Sequence, residues 1–278
     1  MAFVASEHPR ESRGRFTQTG RDEGADLEIP LPLTHVTTEL TVEDLMRQIL
    51  EPGEEPVLAG IGGSTAYGMA TPGSDRDVHG IHLAALDEVL GLGGRDATSA
   101  SRRSDNPDAS SLELGKFVSH ALKGAPQALE LLWLPEHAVS SQAGGELLES
   151  RHIFLSGPGV RGATIGTTKS SLNEIAKAHR RQDPALAKRI NRTGRHCFRF
   201  LRAGRELLET GDMTIDASSW ADELGAAGDL ALADPDAFFG LARREMAAVE
   251  AAATRLPESP DYKRAEALVV TARRRQFG

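Results

Sequence analysis

The sequence predicts a mixed α/β fold, with a mixed sheet flanked by helices, followed by a helical domain. Short apolar runs bounded by Gly, such as residues 56–61, have the length and composition of buried strands. After Pro135 the apolar residues recur mostly at helical spacing. No Gly-x-Gly-x-x-Gly turn follows a predicted strand and no P-loop motif occurs, which excludes the Rossmann and P-loop folds. We therefore predict an α/β domain over residues 27–150 and a basic helical domain over residues 151–278.

Composition sets the broad class of the chain. Its 278 residues, 40% of them apolar, suffice for one large core or two smaller ones. Cys197 is the single cysteine, which excludes an intramolecular disulfide and a cysteine-based zinc site, and we expect it to pack as a small buried hydrophobe. No run of 18 apolar residues and no signal-peptide core occur, so we expect a cytoplasmic protein without membrane contact. Residues 1–26 are charged and Gly-rich without a period, which predicts a disordered arm.

The elements of the α/β domain can be assigned in chain order. Thr41 precedes Glu43 and Asp44, as is typical of a helix N-terminus, and apolar residues then follow at helical spacing. The Gly-, Ser- and Arg-rich stretch at 90–106 is typical of a flexible loop. We predict a helix at 41–50, strands at 56–61 and 78–83, a loop at 90–106, a strand at 109–114 and helices at 115–123 and 128–134.

The segment after the first strand carries the chemistry. Gly63 and Ser64 form a turn that exposes backbone N–H groups and a hydroxyl donor, which suits a triphosphate. Asp75 and Asp77 follow, and residues two apart on a strand face the same side, so we expect both carboxylates in one site with Arg76 pointing away. Mg²⁺ binds through one or two carboxylates together with substrate phosphates. The segment therefore predicts a metal and phosphate site.

This segment, residues 63–81 (GSTAYGMATPGSDRDVHGI), resembles the signature of the DNA polymerase beta nucleotidyltransferase superfamily. It is more narrowly similar to the RNA-repair-pathway polymerase-beta family, which carries GS-x-AYG-x-ATP-x-SD-x-D-x-x-GI. Residues 121–135 (ALKGAPQALELLWLP) and 195–211 (RHCFRFLRAGRELLETG) resemble two further blocks of that family. Ala125 departs from the pattern, because the family usually has Asn there. The resemblance covers roughly residues 55–211.

The resemblance implies an Mg²⁺-dependent nucleotidyltransferase that moves a nucleoside monophosphate from an NTP such as ATP to a hydroxyl acceptor. Two Mg²⁺ ions are expected, with Mn²⁺ as a substitute. RNA, either a tRNA or a cleaved RNA end, is the favoured acceptor. Two alternatives stay open: transfer to a small molecule or a protein, and a non-catalytic nucleotide-binding or antitoxin-like module.

The resemblance also assigns residues to roles. Asp75 and Asp77 are the expected metal ligands, and Asp108 aligns with the family's acidic position as a third catalytic carboxylate and ligand. Glu113 competes with Asp108, since the two differ by five and face opposite sides of a regular strand. Lys116 would neutralise a β or γ phosphate, or else is an exposed lysine at a helix start. The expected nucleotide-binding residues are Gly63, Ser64, Tyr67, Ser74 and Lys116.

A basic segment supplies the predicted acceptor site. The formal net charge of −8 argues against non-specific coating of nucleic acid. Residues 151–210 nevertheless hold 13 Lys and Arg against 4 Asp and Glu. Several of these cations recur at i,i+3 and i,i+4 spacing, where they repel one another unless a polyanion neutralises them; a solvated surface is the alternative. The expected acceptor-binding residues are Lys188, Arg192, Arg195 and Arg199.

Two further polar residues lie in apolar surroundings. Glu130 stands within ALELLW, where an ionised carboxylate is costly without a partner, so we expect it to be buried and paired with a basic group. His196 shares the basic helix and either packs in the core or contacts substrate.

Overall fold

The computed structural model describes residues 40–106 and 108–277. The predicted disordered arm at 1–26 lies outside the described residues. A five-stranded sheet with the order β3-β4-β2-β1-β5 forms the centre of the first half of the described chain. Its strands are β1 (Glu55–Ile61), β2 (Val78–Leu83), β3 (Ser101–Asp105), β4 (Asp108–Glu113) and β5 (Val139–Ser140).

The sheet is mixed, as predicted. β1 runs antiparallel to β2 and β5, and β3 runs antiparallel to β4. β2 and β4 are parallel, with Val78 opposite Ala109. The residues just before this pair, Asp77 and Asp108, therefore lie side by side at the start of two neighbouring strands.

Helices cover both faces of the sheet. The first helix begins after Thr41, whose hydroxyl accepts from the backbone N–H of Asp44 while the Asp44 carboxylate accepts from the Thr41 N–H. Its apolar side packs on one face of the sheet, and the main core fills the other face. The described helices up to residue 150 are α1 (Val42–Ile49), α2 (Gly63–Ala66), α3 (Leu86–Leu90), α4 (Gly94–Ala97), α5 (Leu114–Leu122), α6 (Pro126–Trp133) and α7 (Gln142–Glu149).

The prediction of a loop at 90–106 is wrong for most of that segment. It contains the short helix α4 and the edge strand β3, which pairs with β4 from Ser101 to Asp105. The sequence misleads here because β3 is polar throughout and alternates between exposed and half-buried positions. An edge strand with one neighbour and much of its surface in water needs no apolar side chains.

The chain beyond residue 150 is helical, as predicted. Residues 157–162 read Gly-x-Gly-x-x-Gly, but they open a helix after a 3₁₀ turn, so they are not a dinucleotide-binding turn. Cys197 is fully buried, and burial raises the pKa of its thiol to about 12. The helices are α8 (Gly157–Arg181), α9 (Ala187–Thr210), α10 (Ala221–Ala233), α11 (Pro235–Ala251) and α12 (Tyr262–Arg275).

Close backbone contact joins the long helices. A Cβ at Gly204 of α9 would lie 2.2 Å from the Thr164 hydroxyl of α8, and one at Gly194 would lie 2.6 Å from Ala231 of α10. The glycines thus allow three helices to pack against each other. Leu40 to Gly278 forms one compact unit, so the boundary at residue 150 stays a prediction. Among the described helices, none combines the length and the apolar character that crossing a membrane requires.

The last helix, α12, returns to the sheet. Arg273 reaches the carboxylate of Glu113, a fully buried residue at the end of β4. Burial raises the pKa of Glu113, and the Arg273 charge and the Gly115 N–H oppose that rise. The Gln276 side chain donates to the Ala84 carbonyl at 3.2 Å. The end of the described chain therefore supports β4, which begins at Asp108.

We expect Arg273→Ala to lower the free energy of unfolding by about 3 kcal/mol, because it leaves the Glu113 carboxylate buried without its partner. Urea denaturation at pH 7 would measure this loss. Arg275→Ala is the matched control, since Arg275 sits two residues away on the same helix and pairs with the more accessible Glu146. Equal stability of the two variants would contradict a supporting role for the Arg273 pair.

Candidate functional site

Two glycines let a carboxylate approach the turn after β1. Gly63 has a φ of +60°, and a Cβ there would lie 1.7 Å from Oδ2 of Asp77. The Gly62 N–H donates to the Asp77 carbonyl at 2.8 Å. A Cβ at Gly62 would lie 2.4 Å from Cδ2 of His79. Only glycine therefore fits at these two positions while β2 and its acidic side chain stay in place.

Asp77 and Asp108 form a pair of interacting carboxylates. Burial raises the pKa of Asp77, and a hydrogen bond to Asp108 and repulsion from its charge raise it further. His79 and Arg192 act in the opposite direction, but more weakly. Two neighbouring carboxylates that repel each other offer hard oxygen ligands to a divalent cation. The donor chemistry of this pair fits Mg²⁺ or Mn²⁺.

The structure separates the other acidic candidates from this pair. Asp75 is exposed and does not line the cavity described below; the strand begins only at Val78, so the expected alternation does not extend back to it. Glu113 points to the opposite side of β4 from Asp108 and is occupied by Arg273. Within residues 40–106 and 108–277, no group of three or more His, Cys, Asp or Glu residues is arranged to hold a metal ion.

A cavity of about 610 Å³ opens beside the carboxylates. This volume lies within the usual range for small-molecule sites. The Gly turn and the sheet line one part of it, and α5, α6 and α9 line another. The first part includes Gly63, Tyr67, Asp77, His79, Asp108 and Ser110, and the second includes Phe117, Leu131, His196, Arg199 and Phe200.

Arg199, Glu130 and Tyr67 connect α9, α6 and the Gly turn. The Arg199 guanidinium donates to the Glu130 carboxylate and lies 3.7 Å from the centre of the Tyr67 ring. The Tyr67 hydroxyl donates to the same carboxylate at 3.3 Å. Glu130 is buried and paired with a base, so that prediction is confirmed. Burial, followed by the Glu130 charge, raises the pKa of the Tyr67 hydroxyl well above its usual value.

The four cations predicted to form one exposed face of α9 occupy different environments. Arg199 is only 3% exposed and lies in the interior, in place of the expected surface position, because Glu130 and Tyr67 surround its head group. Arg195 is half-buried beside Gly228 of α10. Lys188 and Arg192 are exposed, and Arg192 also lines the cavity.

The remaining predicted nucleotide-binding residues, Ser64, Ser74 and Lys116, do not line the cavity. Ser64 is half-buried within α2, and its carbonyl accepts from the Met69 N–H. Ser74 accepts from the Thr71 N–H at 2.8 Å and so stabilises the loop before β2. Lys116 of α5 donates to the Ser101 hydroxyl at 2.5 Å. Of the predicted set, Gly63 and Tyr67 line the cavity, and so does Ala125, where the similar family usually has Asn.

Sequence reasoning missed a histidine and a serine beside the carboxylates. His79 and Ser110 lie two residues after Asp77 and Asp108 on the paired strands, and the His79 Nδ1 lies 2.8 Å from the Ser110 hydroxyl. The alternation along β2 carried the signal, because Asp77 and His79 share a face. The serine could be found only through the pairing of β2 with β4.

His196 faces the same cavity from α9. Burial, together with the charges of Arg199, Arg192 and Arg195, lowers the pKa of His196 to about 4. The imidazole is therefore neutral at pH 7. Arg192 Nε lies 3.4 Å from the His196 Nε2, which accepts the bond. In the neutral ring the other nitrogen, Nδ1, then carries the hydrogen.

Comparison with known families supports the resemblance seen in the sequence. The profile of the RNA repair pathway DNA polymerase beta family matches residues 39–230. Among curated proteins no match was found. A search of solved structures also gave no match. The mixed sheet with flanking helices and a helical C-terminal region is consistent with a polymerase-beta-like fold.

We expect Gly63→Ala to lower the free energy of unfolding by about 1–3 kcal/mol, because the new Cβ takes the place of the Asp77 carboxylate at a left-handed position. Gly73→Ala is the matched control in the same loop, since a Cβ there meets no atom within 4 Å. Chemical denaturation of both variants gives the comparison. A Gly63→Ala protein as stable as the control would show that the turn can accommodate a Cβ at position 63.

The low pKa of His196 predicts that the folded protein becomes less stable as the pH is lowered. The unfolded chain binds a proton near pH 6.5 and the folded chain only near pH 4, so acidification through this window favours unfolding. Between pH 7 and 5 this group should account for about 1–2 kcal/mol. Urea denaturation should therefore show a shallower pH dependence for His196→Phe than for the wild type. Identical pH dependence in both proteins would contradict a buried neutral His196.

Proposed function

The chain belongs to the RNA repair pathway DNA polymerase beta family, and on that premise we propose that it transfers a nucleoside monophosphate from an NTP to a hydroxyl group of RNA. The family name implies a polymerase-beta-like nucleotidyltransferase in an RNA repair pathway. One observation carries the proposal: Asp77 and Asp108 lie together beside Gly63, in a cavity of the size that small ligands occupy.

The proposed reaction is a displacement at the α-phosphorus of the NTP. The acceptor oxygen forms a bond to this phosphorus, and the bond from phosphorus to the α,β-bridging oxygen breaks. Pyrophosphate leaves with the electron pair of that bond. The proton of the acceptor hydroxyl passes to a carboxylate oxygen of Asp108, which faces the cavity beside Asp77.

Asp77 and Asp108 are the proposed metal ligands. Burial and the neighbouring Asp108 raise the pKa of Asp77, and a cation held by both carboxylates would relieve their repulsion. A bound Mg²⁺, or Mn²⁺ in its place, would offset the charge of the triphosphate and of the leaving pyrophosphate. A second ion would need additional oxygen ligands, which the phosphates of the NTP can supply. Those phosphates would lie in the cavity that Gly62 and Gly63 line.

Exposed cations near the cavity support RNA as the acceptor. Arg103 of β3 lines the cavity, and its side chain is 74% exposed. Arg192 lines the cavity from α9, and the exposed Lys188 lies one turn before it. An RNA end that reaches Asp108 can therefore place its phosphates near positive charge from the sheet and from α9.

We expect Asp77→Asn and Asp108→Asn each to reduce nucleotidyl transfer by at least about 10²-fold, because each removes charge that stabilises the reacting phosphate through the cation. Both variants should fold normally, since each removes repulsion. Asp87→Asn, an exposed change on α3, is the matched control. Asp75→Asn separately tests the assignment made from the family resemblance.

The assay combines each α-labelled NTP, Mg²⁺ and total RNA with the full chain. Label in RNA supports the proposal. Label in protein or in a small molecule would show that the acceptor is not RNA. A folded wild type that binds NTP but transfers no label would indicate a non-catalytic module. Full activity of Asp77→Asn in Mg²⁺ would exclude the carboxylate pair as the metal site.

RNA binding should depend on salt through the exposed cations of α9. We expect the double change Lys188→Gln and Arg192→Gln to make the log-log slope of affinity against salt shallower by about one to two units, at about 0.7 per phosphate contact on a single strand. The double change Lys169→Gln and Lys177→Gln removes the same charge from exposed positions of α8 as a control. Equal slopes for both double variants would exclude α9 as the RNA contact.

A further inference from the structure

The cavity is lined by a group of aromatic rings that the proposed chemistry does not use. The group consists of Tyr67, at the end of the Gly turn, and His196 and Phe200 of α9; we call it the aromatic wall. The ring centres of Tyr67 and His196 are 6.2 Å apart at 77°, and those of His196 and Phe200 are 6.2 Å apart at 30°. All three side chains line the cavity that also holds Asp77 and Asp108.

Arg199 packs against two rings of the aromatic wall and also lines the cavity. Its guanidinium carbon lies 3.7 Å from the ring centre of Tyr67 and 4.6 Å from that of Phe200. Glu130 holds both this guanidinium and the Tyr67 hydroxyl. The backbone carbonyl of Tyr67 also accepts from the Ala217 N–H at 3.0 Å. A wall held at so many points is rigid before a ligand arrives, which lowers the entropic cost of binding.

His196 gives this wall a directional polar group. Arg192 donates to Nε2, so the hydrogen of the neutral ring is on Nδ1. Nδ1 has no hydrogen-bond partner in the part of the chain that the structure describes. A group of aromatic rings with an unused N–H donor matches a planar heteroaromatic ring that carries an acceptor at its edge.

We propose that the aromatic wall binds the nucleobase of the NTP and that His196 selects the base through a hydrogen bond from Nδ1–H to an acceptor on the base edge. This inference rests on the proposed function, because it assumes that the NTP occupies the cavity. The base then packs against aromatic side chains of α9, while the triphosphate lies at Gly63 and the carboxylates. Arg199 is a positioning residue in this arrangement, since it acts through Tyr67 and Phe200.

Selectivity, rather than affinity alone, provides the test. Calorimetric titrations of the full chain with Mg²⁺ would use the four α,β-methylene NTP analogues, which cannot be turned over, and tripolyphosphate as a probe without a base. His196→Phe keeps an aromatic ring and removes the donor. His196→Asn keeps an N–H donor close to the position of Nδ1. His120→Phe removes another histidine that lines the same cavity, from α5, and is the matched control.

We expect wild type to bind its preferred analogue about tenfold more tightly than the least preferred, a difference that one hydrogen bond can supply. In His196→Phe this spread should fall below about threefold, with the affinity for tripolyphosphate unchanged, while His196→Asn should restore part of the spread. The control His120→Phe should keep the wild-type spread.

The outcomes separate the two proposals. Wild-type selectivity retained in His196→Phe, or lost equally in His120→Phe, would overturn the role of His196. A wild type that binds tripolyphosphate as tightly as every analogue would overturn the nucleobase site while leaving a triphosphate site in place. A folded wild type that binds neither the analogues nor tripolyphosphate would overturn the proposed function itself, and the nucleobase site with it.

Discussion

The parallel pairing of β2 with β4 is the constraint on which the candidate site depends. It places Asp77 beside Asp108, although 30 residues and the edge strand β3 separate them in the chain. Burial raises the free-energy cost of the Asp77 charge, and the neighbouring carboxylate of Asp108 raises it further. The strand ladder must therefore hold them together against electrostatic repulsion. In the proposed function, a cation bound by both carboxylates would relieve this repulsion.

Two buried ion pairs extend this constraint to the helices. Arg199 of α9 pairs with Glu130 of α6 and packs on Tyr67, so the helical region contacts the turn that receives Asp77. Arg273 of α12 pairs with Glu113 at the far end of β4. Each pair costs desolvation energy that only good geometry repays. Such pairs favour one arrangement of the helices over the sheet, since any displacement leaves a charge buried without its partner.

The accuracy of the sequence predictions follows the range of the interactions involved. The helix after Thr41 and the strand at 56–61 were predicted because capping and apolar runs are local signals. Strand β3 was missed because a polar edge strand has no local signal of its own. Asp75 was expected beside Asp77 by strand alternation, but the strand begins only at Val78. The predicted cations of α9 do lie on one helix, as their spacing indicates. That spacing could not show that Arg199 would be buried against Glu130 and Tyr67.

The sequence by itself determined the class of fold and the family, because the Gly-Ser turn and the acidic segment after it form a continuous stretch whose chemistry is local. It also required a partner for Glu130, since an ionised carboxylate among apolar residues is unstable without one. Only the tertiary structure decided that this partner is Arg199, and that Asp108 rather than Glu113 lies next to Asp77. These choices depend on contacts between segments distant in the chain. No spacing within one segment encodes such contacts, because they arise from strand register and helix packing.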